Sequence, residues 1–392
     1  MFPVFHLARK SLARAAAALS FVTLAACVPA AGPQVGTGAG SSGKVTVALL
    51  VPSGSGQASD EALARGLQNA ARLAISDLGN GQIDLRVYPT AGQPAQAQAM
   101  AIKAVDEGAR IILGPIYAEE ANAAGVAVAG RGVNVLSFSN NPDIAGGNVF
   151  VLGQTFQNTA DRLARYAVRS GKTRVMVVSD QNIAGEAGRA AIQRGVGAAG
   201  GQVVAAQGYE FSQNGIVSAI PAIAAQAKSA GAQAVFLTAD SSGALPLVTQ
   251  LLRENGVAPP SVALVGLSRW DIPAATVSLP GVQGGWFALP DPGLYGQFDA
   301  RYRTAFGEAP HPILTGLAYD GIAAIGALMK RGGGDPLSAR ALTQPSGFVG
   351  VNGIFRLRSD GTAERGLAIA TIQNNQLQVI DPAPRSFAGA GF

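Results

Sequence analysis

Val45-Thr46-Val47-Ala48-Leu49-Leu50-Val51 runs straight into Pro52-Ser53-Gly54. Seven apolar or β-branched residues with no alternation predict a strand covered on both faces, ended by a turn. A helix is predicted next over residues 59–78. Ser59 suits its N-cap, Asp60 and Glu61 its positive end, and Leu63, Leu67, Ala71, Ala74 and Leu78 line one face. A doubly covered strand followed by an amphipathic helix is the opening of a parallel α/β sheet, in which crossover helices pack on both faces.

The chain repeats this rhythm every 25 to 30 residues. Strands are predicted at residues 83–88, 110–113, 133–137 and 149–152, with helices at 94–108 and 119–130. Pro94 suits a first helical turn and Gly108 a helix end. A second α/β run follows, with strands at 174–179, 201–207, 234–238 and 262–265 and helices at 159–170, 185–199, 216–230 and 243–255. Two further helices are predicted at 294–306 and 312–331. The C-terminal part changes to strands at 353–358, 366–373 and 377–380, joined by turn dipeptides such as Asp360-Gly361 and Asn374-Asn375. The fold class expected is α/β, with two Rossmann-like lobes of parallel sheet. Residues 44–155 and 285–335 are assigned to lobe 1, residues 156–284 and 336–382 to lobe 2, and residues 383–392 to a disordered tail. The cleft between the lobes is the expected ligand site, because strand ends in open α/β sheets deliver their following loops to one crevice.

The 392 residues are 48% hydrophobic and 14% charged, enough apolar material for two cores and too little charge for a disordered chain. One Cys rules out a disulfide framework and a multi-Cys zinc site, and two His leave little for histidine-based metal or triad chemistry. Arg9, Lys10 and Arg14 precede an apolar run from Ala15 to Ala26 that ends Leu24-Ala25-Ala26-Cys27. About a dozen apolar residues are too few for a membrane-spanning helix, which takes roughly 20, so residues 1–26 read as a secretory signal. The ending resembles a bacterial lipobox. That resemblance implies lipidation of Cys27, and Val28 after it suggests outer-membrane sorting; an ordinary signal peptide with an incidental Cys is the alternative. Residues 27–43, rich in Gly, Pro and Ser, form a flexible tether. Cleavage removes three of the 29 basic residues and none of the 24 acidic ones. The near-neutral remainder has no basic stripe interleaved with aromatics, so nucleic acid is not an expected partner. The membrane is met only through the anchor.

The opening strand with Pro52-Ser53-Gly54, Arg65-Gly66, Ile112-Leu113-Gly114-Pro115 and Ala318-Tyr319-Asp320 together resemble the leucine-type periplasmic binding proteins. The closer likeness is to the penicillin-binding-protein activator (LppC-type) lipoproteins. It is carried by Leu264-Val265-Gly266-Leu267-Ser268-Arg269-Trp270, Gly284-Gly285-Trp286-Phe287-Ala288, Phe298 to Phe306, and Gly347 to Arg356. The resemblance covers about residues 44–382. It implies a type I periplasmic binding protein fold, two lobes joined by a three-crossover hinge, with no catalysis and no cofactor. Leucine-type binders hold the ligand carboxylate with a Ser and a Thr after the third and fourth strands, and its ammonium with two Tyr and a Glu. Here those positions read Ile116-Tyr117, Ser137-Phe138-Ser139-Asn140, Ala184, Ala239-Asp240 and Leu267 or Ser268. The ammonium clamp is absent, with Asp240 as the one replacement, so branched-chain amino acids are not expected to bind. Cleft candidates are Ser53, Ser55, Tyr117, Ser137, Ser139, Asn140, Asp180 and Asp240; for the serines and Asn140, ordinary turn and capping chemistry is the other reading.

Other patterns carry less. Gly195-Val196-Gly197-Ala198-Ala199-Gly200 fits a dinucleotide fingerprint in spacing, but it ends a helix instead of following a strand. His311, between two prolines, reads as a solvated loop residue, and Trp270 and Trp286 read as core. Two functions with one fold remain. One is a non-catalytic envelope lipoprotein that contacts a peptidoglycan synthase. The other is the substrate-binding lipoprotein of an ABC importer, with a permease partner and a branched-chain amino acid or other small polar ligand. A cell-wall hydrolase is the weakest reading, because no catalytic motif stands out. All of them place the protein in the periplasm, anchored to the envelope.

Overall fold

The structure, a computed structural model, describes residues 44–387 apart from Asn80 and Gly333. The signal segment, the tether, Cys27 and residues 388–392 lie outside the described residues. In chain order the first lobe begins with β1 (Val45–Val51), α1 (Ala58–Leu78), β2 (Ile83–Pro89), α2 (Pro94–Asp106), β3 (Ile111–Leu113), α3 (Ala118–Val128), β4 (Asn134–Ser137) and β5 (Val149–Val151). The sheet order is β2-β1-β3-β4-β5, parallel throughout. Residues 47–51 of β1 are fully buried between helices, as its unalternating sequence requires. Ala64, Leu67, Ala70, Ala71 and Ala74 of α1 face this core. Ser59 does not cap α1. The helix starts one residue earlier, with Gln57 at the N-cap and the Ser55 hydroxyl accepting the Gln57 N–H at 3.1 Å.

The second lobe follows with α4 (Phe156–Arg169), β6 (Arg174–Asp180), α5 (Ile183–Ala198), β7 (Gln202–Tyr209), α6 (Gln213–Ser229), β8 (Ala234–Leu237), α7 (Leu245–Glu254), β9 (Ala263–Gly266) and β10 (Trp286–Leu289). Thr155 caps α4 in a reciprocal capping box with Asn158. The chain then returns to the first lobe for α8 (Pro292–Phe306), α9 (Thr315–Arg331), α10 (Ala339–Leu342) and an antiparallel sheet of β11 (Phe348–Gly350), β12 (Gly353–Leu357) and β13 (Ala363–Arg365). It ends with β14 (Ala368–Gln373) and β15 (Gln376–Asp381) in the second lobe's sheet, whose order is β15-β14-β10-β9-β8-β6-β7. The strands from β10 to β7 are parallel, and β14 and β15 add an antiparallel edge.

Two crossovers fall later in the chain than the sequence reading places them. β10 pairs with β9, so lobe 2 extends to Leu289 and the return to lobe 1 comes at Pro290. Phe348, Val351, Phe355, Leu357 and Ala363 belong to the first lobe's core, so residues 336–365 lie with lobe 1 and the last crossing comes at Gly366 and Leu367. β11 and β13, three residues each, are too short to give a period in sequence. The expected disordered tail is also corrected in part. Ala383 is buried in the second lobe's core, and the Arg356 guanidinium lies over the Phe387 ring at 4.6 Å. No helix among the described residues is long and apolar enough to cross a membrane.

Candidate functional site

The turns after β3 and β4 are shaped by short polar side chains. The Ser137 hydroxyl donates to the Pro115 carbonyl at 3.0 Å and accepts the Ser139 N–H at 3.1 Å. The Ser139 hydroxyl accepts the Asn141 N–H at 3.1 Å, and the Asn141 side chain accepts the Asp143 N–H at 2.9 Å. This stair of side-chain turns leaves Asn140 exposed beside a cavity of about 240 Å³ at the crossing of the lobes. Ile116, Phe138, Ser139 and Asn140 form one wall, and His311 to Leu314 with Leu317 form another. Gln154, Pro290 and Leu367 bring in all three crossovers, and Arg269, after β9, reaches it from the second lobe. Asn352 and Arg365 complete it.

Arg365 is the most constrained of these groups. Its Nε donates to the Leu152 carbonyl at 2.8 Å, its Nη1 pairs with Asp320 Oδ2 at 3.1 Å, and its guanidinium lies 5.0 Å from the Phe355 ring centre. Its Nη2 is buried with no hydrogen-bond partner. Asp320, fully buried in α9, also accepts the Val351 N–H at 2.8 Å and the Asn352 side-chain amide at 2.9 Å. The pair therefore fixes the third crossover to the first and to the β11–β12 turn. Arg269 forms a two-pronged pair with Asp271. His311 Nδ1 accepts the Ile313 and Leu314 N–H groups at 3.3 and 3.2 Å, which leaves the proton on Nε2 as a donor. Burial holds the His311 pKa below its ordinary value, so the ring is neutral at pH 7.

Of the eight cleft residues expected from sequence, Ser139 and Asn140 line this cavity. Ser137 is fully buried and engaged in the turn. Asp180 is turned inward: it accepts from the Tyr209 hydroxyl and from Thr238 Oγ1 at 3.0 Å, and it braces β6, β7 and β8 instead of facing a crevice. Tyr117 is 39% exposed and donates to Asp60 Oδ1 at 2.6 Å, which pushes its pKa up to about 12. It lies on the first lobe beside the start of α1, in the neighbourhood of Ser53 and Ser55. Asp240 is exposed on the second lobe and accepts from Ser242 Oγ at 2.9 Å. Ser53, Tyr117 and Asp240 follow β1, β3 and β8, and Asp180 ends β6; these are the strands where the order of each sheet reverses, as the topological rule selects. Arg269, His311, Asn352 and Arg365 escaped that rule because they come from the hinge and from loops far along the chain. Arg269 and Asn352 carried a signal, as parts of the Leu264–Trp270 and Gly347–Arg356 stretches. His311 is an exposed loop residue, as expected, and it also borders the cavity. Leu267 is buried in the core and the Ser268 hydroxyl donates to the Ala239 carbonyl at 3.0 Å, so neither supplies an ammonium partner. Among the described residues no group of three or more His, Cys, Asp or Glu side chains could hold a metal ion.

Two parallel-sheet lobes, three crossovers and a cavity walled from both lobes define a two-lobed binding protein. The family described as periplasmic binding protein matches residues 44–376, and the chain belongs to that family. A protein from Rhodospirillum rubrum, provisionally assigned to branched-chain amino acid ABC transport, is 21% identical with a TM-score of 0.74, covering 86% of this chain and 100% of its own. An ABC transporter substrate-binding protein from Desulfitobacterium hafniense, solved in complex with Leu, is 18% identical with a TM-score of 0.64, covering 86% and 100%. A Rhodopseudomonas palustris solute-binding protein, solved in complex with benzoate, is 19% identical with a TM-score of 0.59, covering 89% and 99%. At these identities the likeness fixes the type I binding-protein fold. None of the curated proteins matches the chain in sequence.

Proposed function

We propose that this protein is the solute-binding component of an ABC importer, that the hinge cavity is its solute site, and that it acts without catalysis. The observation that carries the reading is the cavity's position. Arg269 contributes from the second lobe, Gln154, Pro290 and Leu367 from the three crossovers, and the other walls from the first lobe. A solute bound there touches both bodies and biases the hinge, which is what a permease needs in order to distinguish loaded from empty protein. The likeness to transporter binding proteins supports this reading over that of a penicillin-binding-protein activator, for which no feature of the cavity speaks. The family places the protein in the periplasm, and we propose that lipidated Cys27 and the tether hold it to the envelope.

The test is a thermal-shift screen of the purified protein against amino acids, aromatic and aliphatic acids, and sugars. A true solute at 100 times its dissociation constant stabilises the fold by about 2.7 kcal/mol, a clear upward shift of Tm. Uptake of that solute by cells is expected to fall when the protein is removed. A screen without any stabilising solute, together with recovery of a peptidoglycan synthase in an envelope pull-down, would return the activator reading to first place.

A further inference from the structure

Resting on the solute-binding reading, we propose that the hinge cavity selects a small carboxylate with an apolar body and no ammonium group. Its apolar walls, among them Ile116, Phe138, Leu317 and Leu367, fit a hydrocarbon or aromatic body. Its charged lining groups are two guanidiniums, Arg269 and Arg365, with no Asp or Glu among the lining residues. The Asp271 and Asp320 partners are engaged already, the first in the Arg269 fork and the second by Arg365, Asn352 and Val351. An ammonium group entering this site loses its water and finds no free carboxylate among the lining residues.

A carboxylate meets the opposite situation. Arg365 Nη2 is buried without a partner, and a guanidinium N–H left unpaired is costly, so a small shift of the lining that lets an acceptor reach it is repaid. Arg269 uses Nε and Nη2 on Asp271 and keeps Nη1 available. His311 Nε2 and the Asn140 amide are further neutral donors on the same cavity. One uncommitted guanidinium nitrogen from each of two arginines, set against an apolar floor, suits an anionic oxygen pair, one oxygen to each, better than a single carbonyl. A volume of about 240 Å³ lies below the roughly 300–1,000 Å³ of sites for drug-sized molecules, which favours a single-ring or short-chain acid.

The experiment is calorimetric titration of the purified protein with benzoate, benzamide and leucine, alongside the broader thermal-shift panel. Benzoate is expected to bind. Benzamide, its neutral isostere, should bind at least about tenfold more weakly, because charge-assisted hydrogen bonds become neutral ones. Leucine should not bind at the same concentrations. Arg365 variants strip the fully buried Asp320 of its partner, so the site is mapped with Arg269→Gln, which should weaken benzoate about tenfold, and with Asn140→Ala at an exposed lining position, which should weaken it less; the melting of each variant is compared with that of the parent. Equal affinity for benzamide and benzoate overturns the proposal, as does unaltered benzoate binding by Arg269→Gln. Binding of leucine in preference to benzoate, or a panel solute that is cationic or uncharged, overturns the anion selectivity and leaves the importer reading standing. Absence of binding by every solute in the panel removes both.

Discussion

Glu120 has no exposed surface, and both of its carboxyl oxygens are buried without a hydrogen-bond partner. Burial pushes its pKa above the ordinary carboxylate value and the Asp60 charge adds to this, while nearby Thr90 and the Tyr117 backbone pull only partly the other way. Between the unfolded and folded pKa values the native state therefore holds more protons than the unfolded chain. Stability is complete below the unfolded value of 4.5 and is lost as pH rises through the folded one. Glu120→Gln, which cannot ionise, is expected to be more stable than the parent at about pH 8, with the difference shrinking as pH falls toward about 4. Urea denaturation at several pH values measures it, and a constant difference across pH would refute the ionisation argument.

Between β9 and β10 the packing turns on one side chain. Trp270 is fully buried and stacks near Phe287, with ring centres 6.2 Å apart. Glycines hold both sides of it: a Cβ at Gly266 would lie 2.0 Å from Trp270 Nε1, and one at Gly285 2.0 Å from Trp270 Cζ3. The Leu264–Trp270 and Gly284–Ala288 stretches, distant in sequence, are thus two halves of one packing unit in the second lobe. Gly285→Ala is expected to destabilise the protein by roughly 1–3 kcal/mol, the usual cost of overpacking a filled core. Chemical denaturation reads this directly, and a loss below about 0.5 kcal/mol would mean that the indole has room to move. Arg269, next to Trp270, owes its position at the cavity to this anchored ring.

For the molecule as a whole, the hinge is held by a buried ion pair. Asp320 comes from the first lobe's α9, Arg365 stands where the chain leaves for the second lobe, and the Leu152 carbonyl belongs to the first crossover. Arg162 adds a second tie, donating to the Leu367 carbonyl at 2.7 Å and pairing with Asp381 at 2.7 Å. Breaking a buried pair by removing one partner leaves an uncompensated charge. Asp320→Ala is therefore expected to cost about 3–5 kcal/mol in equilibrium denaturation, far more than Ser53→Ala, which should change stability by under about 0.5 kcal/mol. Equal effects of the two substitutions would show that the hinge does not depend on the pair.

The sequence alone determined the alternation of strand and helix, because burial on both faces removes polar residues from β1 and the 3.6-residue period marks each covering helix. It also reached the periplasmic binding protein family, through short stretches in a fixed order. It could not place the later crossovers. Whether β10 joins one sheet or the other depends on which strand edge it meets, and four apolar residues are equally at home in either. Nor could it find the cavity. Arg269, His311, Asn352 and Arg365 are polar residues in loops and strand ends, with no period and no shared spacing, and only the three crossovers bring them to one point. Their chemistry follows from partners assigned in three dimensions: Asp320 and Asp271 neutralise the guanidiniums from behind, and the free donors are what remains.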